Sequence, residues 1–146
     1  MRGTAGNDTY TISASDATAS GNADQILYIA LDGNDNITIA SNVTKKVTVL
    51  GGAGNDTINA SVATVNVLLD GGDGDDILTG GSGDDVLIAG IGTNILVGGD
   101  GKNRFIGGGS TPGTTIESGT GDDQLTSNAA NTMLDFGRRR NQLGHC

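Results

Sequence analysis

The sequence contains few of the residues that usually build a wide hydrophobic core or hold a chain together covalently. Its 146 residues include two Phe, two Tyr and no Trp, and the only Cys is Cys146. This composition does not fit an ordinary globular core, and a single Cys excludes an intramolecular disulfide. No apolar run is long enough to span a membrane, and no signal peptide follows Met1. A narrow core of stacked Leu, Ile and Val remains possible.

The chain is strongly acidic. Its net charge is -9, and all 17 acidic residues precede the run Arg138-Arg139-Arg140, which contains three of the eight basic residues. So acidic a body disfavours nucleic acid and anionic membrane as partners and favours cations. No glycine-rich stretch is followed by the Lys-Ser/Thr of a phosphate-binding loop.

Residues 71–106 consist of four nine-residue blocks laid end to end. Each block has Gly at the second and fourth places, Asp or Asn at the sixth, and a large apolar residue at the eighth. A fixed period of this kind indicates stacked repeat units. The blocks read GGDGDDILT, GGSGDDVLI, AGIGTNILV and GGDGKNRFI.

The residue types predict the shape of one block. Glycine adopts positive φ at low cost, so the first six residues can form a tight turn. The last three can form a short strand whose middle side chain faces the core, because side chains alternate across a strand. Two blocks then make one coil, and the sequence predicts a parallel β-roll with a glycine-rich loop at both edges.

This pattern resembles the RTX (hemolysin-type) nonapeptide repeat, GGxGxDxUx. The resemblance implies an all-β fold, a right-handed parallel β-roll (β-solenoid), for which the repeat length predicts about seven coils. It also implies that Ca²⁺ binds between loops stacked on the same edge, to main-chain carbonyls and the sixth-place Asp. Similar proteins are extracellular and leave the cell by type I secretion. The lack of an N-terminal signal peptide therefore does not determine where this chain is located.

Looser blocks extend the pattern in both directions, and their spacing predicts two edges. Blocks that start at residues 30, 51, 71 and 89 are separated by 21, 20 and 18 residues, about one coil each. We therefore place those four loops on one edge, and the loops that start at 80, 98 and 118 on the other. Overlaying 47–58 on 67–78 aligns core and loop positions together. The turns at 41–46 and 60–64 lack the motif and are predicted to bind no metal.

Each predicted calcium site needs two loops one coil apart. The best pair is Asp56 with Asp76, because both loops keep the full motif, and Asp35 with Asp56 is next. Three further pairs replace one carboxylate by a neutral amide and are expected to bind more weakly. These pairs are Asp76 with Asn94, Asp85 with Asn103, and Asn103 with Asp123.

Other loop residues complete the candidate set. Asp8 is the sixth-place residue of the first block, at residues 3–11. By the resemblance, second-place glycines and acidic residues at the third and fifth places contribute main-chain carbonyls, while the acidic side chains meet water. The residues concerned are Gly72, Asp73, Asp75, Gly81, Asp84, Asp100 and Asp122.

The domain prediction follows the repeats. Residues 1–137 are expected to form the roll, as a fragment of a longer protein, because the chain begins inside a repeat. Residues 138–146 fit no repeat and are expected to form a disordered tail. The predicted function is calcium-coupled folding outside the cell, in a module covalently linked to a toxin, hydrolase or adhesin domain. No enzymatic activity is expected of the chain itself.

The same residues allow several other interpretations. A disordered acidic linker would not need regularly spaced Leu and Ile, and an EF-hand would need a different ligand order. Paired carboxylates such as Asp75-Asp76 suit acid/base catalysis, but their recurrence in several loops favours a structural ligand. The irregular outward threonines disfavour an ice- or glycan-binding face. A solenoid that closes without metal and serves as a structural or adhesive spacer stays open.

Overall fold

The computed structural model describes residues 1–19, 24–107, 113–126 and 133–135. Within these ranges the chain forms short strands and one six-residue helix. The elements are β1 (Thr9–Ile12), α1 (Ala14–Ala19), β2 (Gln25–Asp32), β3 (Asn36–Ile39), β4 (Lys46–Ala53), β5 (Thr57–Asn59), β6 (Val67–Asp73), β7 (Ile77–Thr79), β8 (Val86–Ile88), β9 (Ile95–Val97), β10 (Arg104–Ile106), β11 (Thr115–Glu117), β12 (Gln124–Thr126) and β13 (Met133–Asp135).

The strands alternate between two sheets. The odd-numbered strands form one sheet in the order β1 to β13, and the even-numbered strands form the other in the order β2 to β12. Every pair is parallel, for example β4 with β6 and β5 with β7. Because each strand pairs with the strand two places further along the chain, the backbone is wound as a parallel β-solenoid. This confirms the predicted fold class.

The number of coils is slightly lower than the sequence predicts. Strands β2 to β11 make about five complete turns, with β1 before them and β12 and β13 after them. The five residues 108–112, with Pro112, lie outside the described residues, as do Phe136 and the predicted tail at 138–146. Within the described residues, the number of complete turns is therefore slightly lower than the predicted seven.

The register of the sheets agrees with the overlay of 47–58 on 67–78. Val47 pairs with Val67, and Val49 pairs with Leu69. In the other sheet Ile58 pairs with Leu78. Repeats of nearly equal length keep equivalent residues in step, so each coil places its loop over the loop before it.

The core is a narrow column of inward-facing side chains between the two sheets. Strand β2 shows the alternation, because its buried residues Ile26, Tyr28 and Ala30 are separated by more exposed ones. Full burial of one Leu or Ile contributes about 1.5–3 kcal/mol. The eighth-place residues are all buried from the second coil to β11: Ile37, Ile58, Leu78, Leu87, Leu96, Phe105 and Ile116.

Plain turns replace glycine loops on one edge of the early coils, as predicted. Val43 N–H donates to the Ala40 carbonyl at 3.3 Å, and Ala63 N–H donates to the Ala60 carbonyl at 2.8 Å. Val43 and Ala63 are both buried, so each turn closes over the core.

The helix α1 was not predicted, because the repeat pattern predicts only strands and loops. Ser13 N–H donates to Asp16 Oδ2 at 2.7 Å, and Tyr10 Oη–H donates to Asp16 Oδ1 at 2.7 Å. The Tyr10 ring stacks on Tyr28 with 5.0 Å between centroids. Ser13 and Asp16 stand three residues apart, which is the spacing of a helix-capping pair. Ser13 and Asp16 are therefore a helix-start signal in the sequence that is independent of the repeat pattern.

No helix in the described ranges combines the length and the hydropathy that a membrane crossing requires.

Candidate metal sites

The loops lie along two edges of the solenoid. We define the first edge by loops that lead into odd-numbered strands, and the second edge by loops that lead into even-numbered strands. The sixth-place residues of the first edge are Asp8, Asp35, Asp56, Asp76 and Asn94. Those of the second edge are Asp85, Asn103 and Asp123. Apart from Asp8, whose loop the spacing does not assign to an edge, both sets match the two edges that the spacing predicts.

Hydrogen bonds join the sixth-place residues of the first edge into a ladder. Each sixth-place N–H donates to Oδ1 of the sixth-place side chain one coil further on. Asp56 N–H donates to Asp76 Oδ1 at 2.8 Å, which places the best predicted pair together. The other steps run from Asp8 to Asp35 at 2.7 Å, from Asp35 to Asp56 at 2.8 Å, and from Asp76 to Asn94 at 2.7 Å.

A shorter ladder of the same kind runs along the second edge. It starts at the plain turn before β6, where Val67 N–H donates to Asp85 Oδ1 at 2.9 Å. Asp85 N–H donates to Asn103 Oδ1 at 3.1 Å, and Asn103 N–H donates to Asp123 Oδ1 at 2.9 Å. All five predicted pairs are therefore neighbours in successive coils.

Three carboxylates of the first edge keep one oxygen without a partner. Asp35, Asp56 and Asp76 are only 2%, 1% and 1% exposed. Their Oδ2 atoms are buried and accept no hydrogen bond from the residues that the structure describes. A buried polar atom without a partner costs about 1–3 kcal/mol, and more when the group is charged. These oxygens therefore favour a positively charged or proton-donating partner.

The first-place glycines form a cradle around the same oxygens. A Cβ atom on Gly51 would overlap both Asp56 Oδ2 and the Gly71 carbonyl oxygen. A Cβ atom on Gly71 would overlap Asp76 Oδ2 and would lie 2.8 Å from the Ala89 carbonyl oxygen. A carboxylate oxygen of one coil thus approaches a carbonyl oxygen of the next coil across a space that only glycine leaves open.

Burial disfavours the charged form of these carboxylates. Burial raises the pKa of Asp56 to about 6, and the neighbouring carboxylates of Asp76 and Asp35 add to the rise. Burial likewise raises the pKa of Asp76 to about 6. In both cases the hydrogen bond from the preceding coil opposes the shift. The ladder alone therefore does not fully compensate the buried negative charge.

The donor set fits a calcium ion. In the part of the chain that the structure describes, no three Asp, Glu, His or Cys side chains converge on one point. A cation beside Asp56 or Asp76 would thus take main-chain carbonyls in addition to carboxylates. Ca²⁺ accepts 6–8 oxygen ligands in flexible geometry, which suits such a mixture.

The second-place and third-place residues present carbonyls that already accept hydrogen bonds. Ile91 N–H donates to the Gly72 carbonyl at 2.7 Å, and Asp100 N–H donates to the Gly81 carbonyl at 2.9 Å. Gly54 N–H donates to the Asp73 carbonyl at 2.8 Å. A carbonyl oxygen has a second lone pair, so these contacts do not preclude metal ligation. The ligand role of Gly72, Asp73 and Gly81 stays a prediction.

Three of the fifth-place and third-place side chains that are predicted to meet water are exposed, and each also accepts a hydrogen bond from the next coil. Asp75 Oδ1 accepts a hydrogen bond from Thr93 N–H at 2.7 Å, and Asp84 Oδ1 accepts one from Lys102 N–H at 2.8 Å. Asp100 Oδ1 accepts a hydrogen bond from Thr120 Oγ1. These residues are exposed, yet their side chains bridge successive coils. Asp122 is also exposed.

Two sixth-place carboxylates differ from the three with a buried unpartnered oxygen. Asp85 Oδ2 accepts a hydrogen bond from Gly81 N–H at 2.8 Å, and Asp8 Oδ2 accepts one from Thr4 N–H at 2.6 Å. Burial raises the pKa of Asp85, but its hydrogen bonds from Val67 and Gly81 oppose the rise. Loops with the same sequence motif thus differ in whether Oδ2 of the sixth-place carboxylate accepts a hydrogen bond.

The fold and the loops define a calcium-binding β-solenoid module. A family model for the RTX calcium-binding nonapeptide repeat matches four copies, at residues 48–61, 68–96 and 88–111. These residues match the repeat of that family, whose repeats bind Ca²⁺, and the resemblance is confirmed. Comparison with curated proteins and comparison with solved structures gave no match.

Proposed function

We propose that this module folds when Ca²⁺ binds along its first edge, between the coils that contain Asp35, Asp56, Asp76 and Asn94. The observation that supports this proposal most strongly is the row of buried Oδ2 atoms on Asp35, Asp56 and Asp76, none of which has a hydrogen-bond partner in the described part of the chain. Each of the last two lies beside a main-chain carbonyl oxygen of the following coil.

Without metal, two free-energy costs oppose folding of the chain. Folding aligns buried carboxylates one coil apart, where like charges repel. It also orders a chain with 26 glycines, each of which loses more conformational freedom than other residues. The narrow core offsets these costs only in part.

Bound Ca²⁺ would neutralise the negative charge of the carboxylates, and the neighbouring carbonyl oxygens would coordinate it. Asp56 and Asp76 would hold it through Oδ2, because their Oδ1 atoms already accept hydrogen bonds from the preceding coil. Since the site requires two successive coils, it is absent from the unfolded chain. Binding free energy therefore becomes folding free energy.

The same chemistry supports an extracellular location. Extracellular calcium modules commonly bind with dissociation constants of about 10⁻⁴ to 10⁻³ M. At such affinities the module would stay unfolded in the cytosol, as secretion requires, and would fold outside the cell. We further propose that it belongs to a larger type I secreted toxin, hydrolase or adhesin, which the sequence of the full-length gene would test.

Circular dichroism during calcium titration tests the coupled folding. We expect a coil-like spectrum in EDTA and a cooperative gain of β signal on addition of Ca²⁺, with heat of binding in calorimetry over the same range. The gain should be weaker in Asp76→Ala than in Asp24→Ala, because Asp24 is exposed and outside the ladders. Identical spectra with and without Ca²⁺ would refute the proposal.

A further inference from the structure

We infer that Asn94 and Asn103 close their loops without a cation, so that calcium dependence is confined to the coils whose sixth-place residues are Asp35, Asp56 and Asp76. This inference rests on the proposed function and deepens it, because it assigns which loops of this chain respond to Ca²⁺. It replaces the expectation that the Asn-containing loops are weaker calcium sites.

The two Asn side chains occupy the same structural position as the Asp side chains. Asn94 is 0% exposed and Asn103 is 1% exposed. Each Oδ1 accepts a hydrogen bond from the sixth-place N–H of the preceding coil, Asp76 N–H at 2.7 Å and Asp85 N–H at 3.1 Å. The ladder therefore continues through the amides without interruption.

The second terminal atom distinguishes the amides from the carboxylates. Asn94 Nδ2 donates to the Gly92 carbonyl at 3.4 Å, and Asn103 Nδ2 donates to the Asp100 carbonyl at 3.3 Å. Both acceptors belong to the same loop as the donor. Neither Asn has a buried side-chain atom without a partner, whereas Asp35, Asp56 and Asp76 each have one.

The cradle around Asn103 corresponds to the cradle around Asp56. A Cβ atom on Gly98 would lie 2.8 Å from Asn103 Nδ2 and would overlap the Ser118 carbonyl oxygen. On Gly51 the same atom would overlap Asp56 Oδ2 and the Gly71 carbonyl oxygen. The amide nitrogen thus lies where the unpartnered carboxylate oxygen lies in the other loop.

Elementary chemistry explains the consequence. A carboxylate oxygen next to a carbonyl oxygen is repulsive until a cation or a proton comes between them. An amide NH₂ at that point donates to a loop carbonyl and has no charge to neutralise. Asn94 and Asn103 therefore satisfy their side chains within their own loops, and neither side chain requires an ion of its own.

Reciprocal substitutions test the assignment. The slope of the logarithm of the folding constant against the logarithm of calcium concentration gives the number of ions taken up on folding. Asn94→Asp should raise that number by one, shift the folding midpoint to higher calcium and lower the β signal in EDTA. Asp76→Asn should lower the number by at least one and raise the β signal in EDTA.

The matched control is Asp75→Asn. It removes one negative charge next to Asp76, at an exposed position, and keeps an Oδ1 acceptor for Thr93 N–H. If Asp75→Asn and Asp76→Asn raise the β signal in EDTA equally, the change in net charge explains the effect and the inference is wrong. An unchanged ion number in Asn94→Asp, or its failure to fold in saturating Ca²⁺, also contradicts the inference.

If calcium-coupled folding itself is wrong, the experiments give a result that differs from failure of the inference about the Asn side chains. If the wild-type chain takes up no Ca²⁺, calcium-coupled folding is wrong. The comparison of Asp75→Asn with Asp76→Asn in EDTA still decides whether an amide closes the loop, because it requires no metal.

Discussion

Substitution of Gly71 by Ala should disrupt a calcium site at a position where φ itself is compatible with Ala. Gly71 is not among the glycines with positive φ, so its conformation suits Ala. The added Cβ would overlap Asp76 Oδ2 and would lie 2.8 Å from the Ala89 carbonyl oxygen. The methyl group would therefore displace the carboxylate that we assign to the ion.

The expected size of the effect follows from the overlap. Overpacking by one methyl group typically costs about 1–3 kcal/mol. If that cost falls on the calcium-bound state, it weakens apparent affinity by about 5- to 150-fold, since 1.4 kcal/mol corresponds to a factor of about ten. In the unfolded chain the same change lowers conformational entropy, which favours folding by about 0.4–1 kcal/mol.

Calorimetric calcium titration of Gly71→Ala measures the loss, and Gly6→Ala is the control. Gly6 is the fourth-place residue of the first block, where an added Cβ would approach nothing closer than Thr4 Oγ1 at 4.0 Å. We expect Gly6→Ala to bind like the wild type. Wild-type affinity in Gly71→Ala, or an equal loss in both variants, would refute the assignment of the cradle.

Three further predictions concern the ladder, the charge and the core. Asp76→Ala should weaken calcium binding more than Asp24→Ala in calorimetry, because Asp76 serves two neighbouring coils. In EDTA the β signal should rise as pH falls from 7 to 4, since the pKa of Asp56 is raised to about 6 in the fold and protonation relieves its burial. Leu78→Ala should lower the free energy of unfolding in saturating Ca²⁺ by about 2–5 kcal/mol in urea denaturation.

The sign of the pH effect distinguishes it from ordinary acid denaturation. A carboxyl group whose pKa is higher in the folded than in the unfolded chain destabilises the fold above its folded pKa, and that cost decreases as pH falls toward the unfolded value near 4. In Ca²⁺ the direction reverses, because protons compete with the ion for Asp56 and Asp76. Loss of the β signal in EDTA as pH falls would contradict the buried-carboxylate account.

Equal loss of affinity in the two Asp→Ala variants would contradict the register. A loss of unfolding free energy below about 1 kcal/mol in Leu78→Ala would contradict the packed core.

The sequence was sufficient to predict the solenoid and the alignment of its loops. Spacings of 18 to 21 residues place Asp56 over Asp76, and the same spacings place Ile58 over Leu78. Such agreement is expected in repeat proteins, because one period determines the core and the loops together. The short helix α1 was missed because its capping pair, Ser13 and Asp16, lies in a degenerate repeat.

The chemistry of individual loops could not be predicted in the same way. The motif is equally good around Asp85 and Asp56, but only Asp85 Oδ2 accepts a hydrogen bond from its own loop. That difference depends on the orientation of one N–H group, that of Gly81. The fifth-place contacts of Asp75 and Asp84 were missed for a related reason, because an exposed side chain can turn to water or to the next coil.

A crystal structure determined in the presence of Ca²⁺, with anomalous difference density, tests the central claim most directly. The account predicts peaks about 2.3–2.6 Å from Oδ2 of Asp56 and Asp76, and none beside Asn103 Nδ2. Peaks only at exposed carboxylates such as Asp75 and Asp84, or none within the first edge, would contradict it.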